Sequence, residues 1–364
     1  MSLLYDEGQQ AIATESRRVV EARILPEKAL ELLERQGEFD PAFQDMAVEQ
    51  GWTGLAIPEE FDGLGLSLVD LGIIALQCGA FVSGAPFITS SYGVSRALLA
   101  SDSGALKSAW LPRLASGAAI GAVAFAEGQT PLPARAQLTF ANGRLNGIKP
   151  AVSAGSQAHV AVVLASDGGT PVLAIADLSG CERCLFNSFD NSRCTADIVF
   201  ADSPAEVIAS GDAAMAAALD VLAAQSVVTA HEQTGGAEAL MLRARDYANT
   251  RRAFGQPIGA FQSVKHKIAE LYGMVELARA NAIHAASRDG QSDFIKAAAA
   301  ARISATEAYD TAARDCVQVH GGIGVTWEAG LHLHMRRTRT LAIEQGNLLF
   351  WEDVLASELT GVKA

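Results

Sequence analysis

The chain has 364 residues, of which 49% are hydrophobic, 19% charged and 6% aromatic. This length suggests two or three domains, and the apolar share is high enough to build a sizeable core, which excludes a disordered or collagen-like chain. The formal net charge of −13 argues against a general nucleic-acid binder.

Residues 1–118 are predicted to form a helical N-terminal domain. Apolar residues at helical spacing predict helices over residues 11–33, where Pro26 interrupts the pattern, and over residues 43–50. Two loops that contain glycines follow, over residues 51–58 and 63–67, and further helices are predicted over residues 68–78 and 94–99.

Residues 119–208 are predicted to form a small middle domain made of β-strands. Short apolar runs predict strands over residues 119–126, 158–164, 171–176 and 196–200, and Asn142-Gly143 is a turn signal between two of them. Because no long helix separates these strands, a small sandwich or barrel is predicted rather than βαβ units.

Residues 209–364 are predicted to form a C-terminal four-helix bundle. The helical pattern covers residues 212–251, interrupted only at Gly235-Gly236, and then residues 263–288, 293–320, 327–339 and 347–359. The predicted fold class is therefore α+β, with a helical domain, a small β domain and a helical bundle in that order.

Other sequence features bear on location and on metals. The first ten residues lack the basic and apolar regions of a secretory signal, and the longest uncharged stretch, residues 71–95, is too polar for a membrane span. Cys181 and Cys184 have C-x-x-C spacing without a second pair, which makes a zinc or redox site a weak alternative. We expect a cytoplasmic protein without a metal site and without a membrane partner.

The common motifs of catalysis and nucleotide binding are missing. The sequence has no G-x-G-x-x-G after a predicted strand, no P-loop, no H-E-x-x-H and no G-x-S-x-G. A Rossmann dinucleotide site and a serine-hydrolase site are therefore not predicted.

Two segments carry a more specific signal. The first reads R-x-x-F-G-x-P-I-G-x-x-Q from Arg251 to Gln262, and the second reads Q-x-x-G-G from Gln318 to Gly322. Taken singly, the first is also typical of a helix connection with a solvated arginine, and the second is more typical of a plain helix C-cap than of a binding site. Together, and with the loop 52–67, they resemble the acyl-CoA dehydrogenase family, and the resemblance covers nearly the whole chain.

The resemblance implies FAD bound without a Rossmann fold. In that family the flavin lies between the β domain and the bundle of one subunit, while the neighbouring subunit holds its pyrophosphate and adenine ends. A dimer is then required for binding, and the usual assembly is a dimer of dimers. The residues assigned to these contacts by resemblance are Arg251 on the pyrophosphate, Phe254 and Gln262 beside it, and Gln318, Gly321 and Gly322 at the ADP portion.

The resemblance also implies a reaction, the α,β-dehydrogenation of an acyl-CoA thioester. A carboxylate removes the α-proton while the β-hydrogen leaves as hydride to flavin N5. Electron-transfer flavoprotein is the implied acceptor, and the breakdown of fatty acids or of steroid side chains is the implied setting.

The sequence departs from the family where a subunit contacts its own flavin. Near Phe125 the family reads T-E-P-x-A-G-S-D, but here Ala126 replaces the threonine and the A-G-S-D loop is missing. The family tryptophan beside the flavin corresponds to Ala151, whereas Ser153 keeps a hydroxyl. Phe125 and Ser153 remain the own-subunit flavin contacts that the resemblance implies.

The catalytic base departs as well. The usual position lies 27 residues after the glutamine of Q-x-x-G-G, which is Gln345 in this chain. A carboxamide does not take a proton near neutral pH. Glu344 is adjacent and is the preferred candidate for the base, while Asn347 in the same loop is placed with the cofactor contacts. An alternative family position falls on Gln225, and Glu232, seven residues later on a similar helix face, is the second candidate.

Several functions remain open at this point. The chain is either a competent homotetrameric dehydrogenase that uses Glu344, or a non-catalytic subunit that supports FAD in a heteromer, as in dehydrogenases of steroid side chains. A flavin-dependent oxidase or monooxygenase of the same fold is a third possibility, and a purely structural helical protein is a fourth.

Overall fold

The computed structural model describes residues 5–24, 26–33, 35–83 and 86–361. The chain divides into two compact units: a helical unit (Met1–Leu30, Gly72–Ser83 and Ser226–Ala364) and a mixed unit (Glu31–Leu71 and Gly84–Gln225). The boundary between Gln225 and Ser226 falls inside a long helix. The division into three domains at residues 118 and 208 stays a prediction.

Several helices begin after a side chain that accepts a hydrogen bond from the first turn. Asp6 accepts from the N–H of Gln9 at 2.8 Å, and Asn347 accepts from the N–H of Phe350 at 3.0 Å. The helices are α1 (Glu7–Arg23), α2 (Pro26–Leu32), α3 (Pro41–Glu49), α4 (Leu68–Ala80), α5 (Pro86–Ala100), α6 (Gly104–Ala115), α7 (Asp212–Thr250), α8 (Gln262–Ser287), α9 (Phe294–His320), α10 (Leu331–Leu341) and α11 (Leu348–Thr360).

The strands of the mixed unit close into a ring, in which β4 pairs with both β2 and β5 while β3 and β7 connect the other two sides. β1 pairs with β4 and β6 pairs with β7 outside this ring. The strands are β1 (Gly121–Ala124), β2 (Thr139–Ala141), β3 (Arg144–Val152), β4 (Val160–Asp167), β5 (Thr170–Asp177), β6 (Glu182–Leu185), β7 (Ala196–Ser210), and a separate hairpin of β8 (Arg252–Ala253) and β9 (Gln256–Pro257). The predicted α+β fold class is confirmed, and its β part is a small barrel.

The sequence pattern did not predict β2, β3 and β6 or the full length of β7. β3 contains Gly147 and Pro150, and its buried positions include Lys149, so it lacks the alternation of apolar and polar residues. β7 continues ten residues beyond Phe200 through Asp202, which has a φ of 53°.

In the helical unit, α4 and α7 pack at the level of their backbones. A Cβ added at Gly79 would overlap the carbonyl of Glu232, and one added at Gly235 would overlap the carbonyl of Leu76. The contact at Gly235 accounts for a glycine inside α7, and the helix runs unbroken through Gly235-Gly236, where the sequence predicted an interruption. By length and composition α7 would also pass for a membrane span, but 67% of its most apolar window is buried inside the protein, as in a core helix.

Candidate functional site

The two predicted cofactor segments lie side by side in the helical unit. Tyr247, near the end of α7, stacks on His320, the last residue of α9, with ring centroids 4.2 Å apart. The Tyr247 hydroxyl donates to the carbonyl of His320 at 3.5 Å. Arg251 follows Tyr247 by four residues and Gly321 follows His320 directly, so this stack brings both segments to one end of the bundle.

The chain leaves α7 through the β8–β9 hairpin. The N–H of Arg251 donates to the carbonyl of Tyr247 at 2.8 Å, and the N–H of Ile258 returns to the carbonyl of Arg251 at 2.8 Å. Phe254 lies between the two strands with a φ of 51°, and it is 97% exposed. Arg251 and Gln262 are also exposed. The predicted contacts of this segment therefore point outward, where a ligand or a second subunit can reach them.

The second segment offers open backbone. Gly321 and Gly322 begin a 3₁₀ turn that follows α9, and a Cβ at either position would meet nothing within 4 Å. Gly324 differs, because its Cβ would lie 2.7 Å from the carbonyl of Val317. Gln318 is exposed one turn earlier. Because glycine has no Cβ, a ligand can approach the backbone of Gly321 and Gly322 closely.

A cavity of about 800 Å³ lies next to both segments. The aromatic pair of Tyr247 and His320 forms part of its wall, with Leu242 and Ile323 as apolar neighbours. Arg243 also lines it and donates to the carbonyl of Ala329. Among the residues that the structure describes, no three His, Cys, Asp or Glu side chains converge in a way that could hold a metal ion.

Glu344, Gln345 and Asn347 lie in the loop between α10 and α11 of the same unit. Gln345 has a φ of 54°, and its side-chain oxygen accepts a hydrogen bond from the Thr229 hydroxyl of α7 at 3.1 Å. Glu344 is half-buried, and its backbone carbonyl accepts a hydrogen bond from the guanidinium of Arg302 at 2.7 Å. Asn347 caps α11, so its side chain already has a structural role.

The second candidate for the base, Glu232, is held in a buried ion pair. Its carboxylate lies 2.7 Å from the guanidinium of Arg337, and both residues are at most 1% exposed. Arg337 also donates to the carbonyls of Ser83 at 3.0 Å and Val82 at 3.3 Å. The Glu232 carboxylate is thus engaged by a structural partner inside the helical unit.

Gln225, Phe125 and Ser153 belong to the mixed unit. The Gln225 side chain is 2% exposed and donates to the carbonyl of Thr89 at 3.2 Å. Phe125 is 1% exposed, and its carbonyl accepts from the ammonium of Lys149 at 3.0 Å. Ser153 is half-buried and follows β3 directly. The roles of these three residues toward a cofactor stay predictions.

A buried charged pair holds together the two ends of the segment between β1 and β2. Lys149 lies 2.6 Å from Glu127, whose carboxylate also accepts from the N–H groups of Gln137 at 2.5 Å and Leu138 at 3.0 Å. Burial lowers the pKa of Lys149 to about 8, against the opposing effect of Glu127. Burial raises the pKa of Glu127, but the hydrogen bonds from Gln137, Lys149 and Leu138 outweigh it and hold that pKa below 4.5.

Sequence reasoning did not find Arg302, Arg337 or the Lys149–Glu127 pair. Their partners lie far away in the sequence, so no local spacing reveals them. One signal was present for Arg302, which follows five consecutive alanines in a helix that is otherwise largely buried. A lone arginine on such a face must either reach solvent or bind buried acceptors.

Comparison with known proteins gives matches along most of the chain. Residues 6–118 match the acyl-CoA dehydrogenase N-terminal domain, and residues 215–350 match the acyl-CoA dehydrogenase C-terminal domain. The acyl-CoA dehydrogenase IpdE2 of Mycobacterium tuberculosis is 30% identical over 305 residues, which cover 82% of this chain and 80% of IpdE2.

Solved structures show the same fold at lower identity. A chain of the ChsE4–ChsE5 complex from Mycobacterium tuberculosis has a TM-score of 0.88 at 22% identity, over 100% of both chains. A glutaryl-CoA dehydrogenase from Mycobacterium smegmatis in complex with FADH2 has a TM-score of 0.87 at 21% identity, over 99% of this chain and 96% of that one. The chain belongs to the acyl-CoA dehydrogenase family, whose members are oxidoreductases acting on CH–CH groups.

Proposed function

We propose that this chain is a subunit of an FAD-dependent acyl-CoA dehydrogenase and that it supports a flavin shared with a neighbouring subunit. FAD supplies the acceptor for the β-hydride when it is bound. The observation that carries the proposal is the juxtaposition of the Arg251 and Gln318–Gly322 segments at one exposed end of the bundle.

The residues at this end fit the chemistry of a dinucleotide. The exposed guanidinium of Arg251 suits bidentate hydrogen bonding to a diphosphate, and the open backbone of Gly321 and Gly322 permits close approach. The similar glutaryl-CoA dehydrogenase was solved with FADH2, which supports the choice of cofactor.

We further propose that another subunit provides the catalytic base. The two family positions carry the carboxamides of Gln345 and Gln225, and the Glu232 carboxylate is bound by Arg337. A second type of subunit is consistent with the similarity to the ChsE4–ChsE5 complex. In this arrangement the chain binds and orients the cofactor, while proton abstraction from the acyl-CoA and electron delivery to electron-transfer flavoprotein occur at the partner's active site.

A competent homo-oligomer that uses Glu344 is the second candidate function. It is favoured by the position of Glu344, which is half-buried in the loop that carries the family position. Glu344→Gln would then abolish dye-linked dehydrogenation while leaving flavin bound.

The visible spectrum and the assembly mass of the protein test the proposal. The chain is purified by an affinity tag, once after expression alone and once from the cells that naturally make it. We expect little flavin absorbance in the first preparation, and flavin together with a second polypeptide in the second. Full flavin occupancy and robust turnover of an acyl-CoA by the chain alone would overturn the partner-subunit proposal and favour Glu344.

A further inference from the structure

Arg302 is a buried cation whose hydrogen bonds converge on the loop after α10. It lies on α9 and is 1% exposed. One guanidinium nitrogen donates to the carbonyl of Leu341 and also to the carbonyl of Glu344 at 2.7 Å. Leu341 is the last residue of α10, so Arg302 satisfies a carbonyl at the C-terminal end of that helix, where a positive charge is favourable.

A second set of contacts fixes the guanidinium itself. Its other terminal nitrogen donates to the side-chain oxygen of Gln233 at 2.5 Å. Gln233 lies on α7, is fully buried, and donates in turn to the hydroxyl of Thr306 at 3.2 Å. Arg302 thus joins α9, α7 and the end of α10 through planar, directional hydrogen bonds.

The loop that follows has a defined orientation. Gln345 adopts a left-handed backbone conformation, its side chain accepts from Thr229, and its carbonyl accepts from the indole N–H of Trp351 at 3.1 Å. Thr229 and Gln233 are four residues apart and therefore lie on the same face of α7. Arg302 and Gln345 are consequently anchored to one helix face from two directions.

We propose that Arg302 is a positioning residue that fixes the register of residues 341–346, so that the side chain of residue 345 is turned toward α7. The proposal rests on the proposed function only in taking residue 345 as the family position of the base in this subunit, an acyl-CoA site that here lacks its carboxylate. Its direct consequence is that position 345 decides whether this loop presents a carboxamide or a carboxylate there.

The indole N–H of Trp351 reports the register without flavin or substrate. The chain has four tryptophans, so its indole signals are few, and Trp351→Phe assigns the relevant one. We expect Arg302→Lys, which loses the planar fork, to shift this signal and to speed its hydrogen exchange at least tenfold. The control is Arg314→Lys, at an exposed arginine of α9 paired with Asp310, which should leave the signal unchanged.

A purely structural role for Arg302 predicts a different result. Arg302→Lys would then lower the midpoint of thermal unfolding but leave the Trp351 signal and its exchange as in the wild type. That outcome would overturn the proposal.

A second measurement tests the direction of the side chain at position 345. Exchange of the α-hydrogens of butyryl-CoA with D₂O, followed by proton NMR, needs a nearby base but no net electron transfer. In the tagged assembly we expect Gln345→Glu to raise the exchange rate at least tenfold and Arg302→Lys/Gln345→Glu to return it toward the wild-type rate.

The two failures can be told apart. If Gln345→Glu raises exchange and the added Arg302→Lys does not reduce it, Arg302 does not position the loop. If Gln345→Glu has no effect while the Trp351 signal responds to Arg302→Lys, the positioning inference stands and the assignment of the loop to an acyl-CoA site fails.

Discussion

At the scale of single residues, each unit buries a charged pair whose cation also binds backbone carbonyls. Lys149 pairs with Glu127 and binds the carbonyl of Phe125, while Arg337 pairs with Glu232 and binds the carbonyls of Val82 and Ser83. Removing charges from water is costly, and the attraction within a pair offsets that cost only when the remaining donors and acceptors are satisfied. These pairs therefore act mainly by fixing the segments whose carbonyls or N–H groups they bind.

Glu127 makes stability sensitive to acid. Because its folded pKa lies below the ordinary value of 4.5, the unfolded carboxyl takes up a proton first as the pH falls. Its stabilising contribution is thus fully present above the unfolded pKa and is lost as the pH falls through the folded pKa. We expect Glu127→Gln to lower the free energy of unfolding by about 3 kcal/mol near neutral pH, since Lys149 loses its partner.

Urea titrations between about pH 7 and about pH 3 measure this effect. The difference in the free energy of unfolding between wild type and Glu127→Gln should shrink as the pH falls. Glu270→Gln, at an exposed position of α8, is the control and should show a small difference throughout. A Glu127→Gln difference that stays constant over the whole range would contradict the expectation.

At the scale of elements, the contact of α4 with α7 depends on glycines. A Cβ at Gly235 would overlap the carbonyl of Leu76, so Gly235→Ala should push the two helices apart and lower the free energy of unfolding by about 1–3 kcal/mol. Gly273 lies inside α8 with nothing within 4 Å of an added Cβ. Gly273→Ala should therefore raise the free energy of unfolding by about 0.5–1 kcal/mol.

Chemical denaturation of both variants under one condition gives the comparison. The glycines share their residue type and their helical backbone, so the opposite signs isolate the close approach of the helices. Equal effects of the two substitutions would mean that α4 and α7 accommodate the added methyl group without a loss in the free energy of unfolding.

Most elements were predictable because their signal is local. The long helices α7, α8 and α9 carry an apolar periodicity over many turns, and the structure confirms them with ends displaced by no more than one residue. β3 was missed because its buried Lys149 and its Pro150 obey tertiary contacts instead of a strand pattern. Gly235-Gly236 was predicted to interrupt the helix because the local sequence does not show what these glycines contact. Gly235 lies against α4 and Gly236 against Tyr309, and both partners are distant in the sequence.

At the scale of the whole molecule, the exposed end of the bundle should govern flavin content. Replacing Arg251 by alanine removes a guanidinium suited to a diphosphate, and each lost charge-assisted hydrogen bond is worth about 1.5–3 kcal/mol. We expect Arg251→Ala to weaken FAD binding by the purified assembly by about 10- to 100-fold.

The flavin absorbance per protein, measured after dialysis, tests this expectation. Arg18→Ala on α1 is the matched control, because Arg18 is exposed and paired with Glu15. Unchanged flavin content in Arg251→Ala, together with an intact assembly mass, would remove Arg251 from the cofactor site.

The candidate site was only partly accessible from the sequence. The spacing of Arg251 and Phe254, and that of Gln318 and Gly321, indicates the family from the sequence alone. The orientation of Gln345 depends on Thr229, more than one hundred residues away, and no spacing rule describes such a pair.

The apolar helix α7 has a consequence for synthesis. Its buried surface is completed partly by α9, which ends at His320, about 70 residues after Thr250. At a translation rate of about 5–20 residues per second, the synthesis of α9 is completed roughly 4–14 seconds after that of α7. During this interval a segment that passes for a membrane span by length and composition is incompletely covered, so we expect nascent chains stalled between α7 and α9 to be the form of this protein that depends most on chaperones.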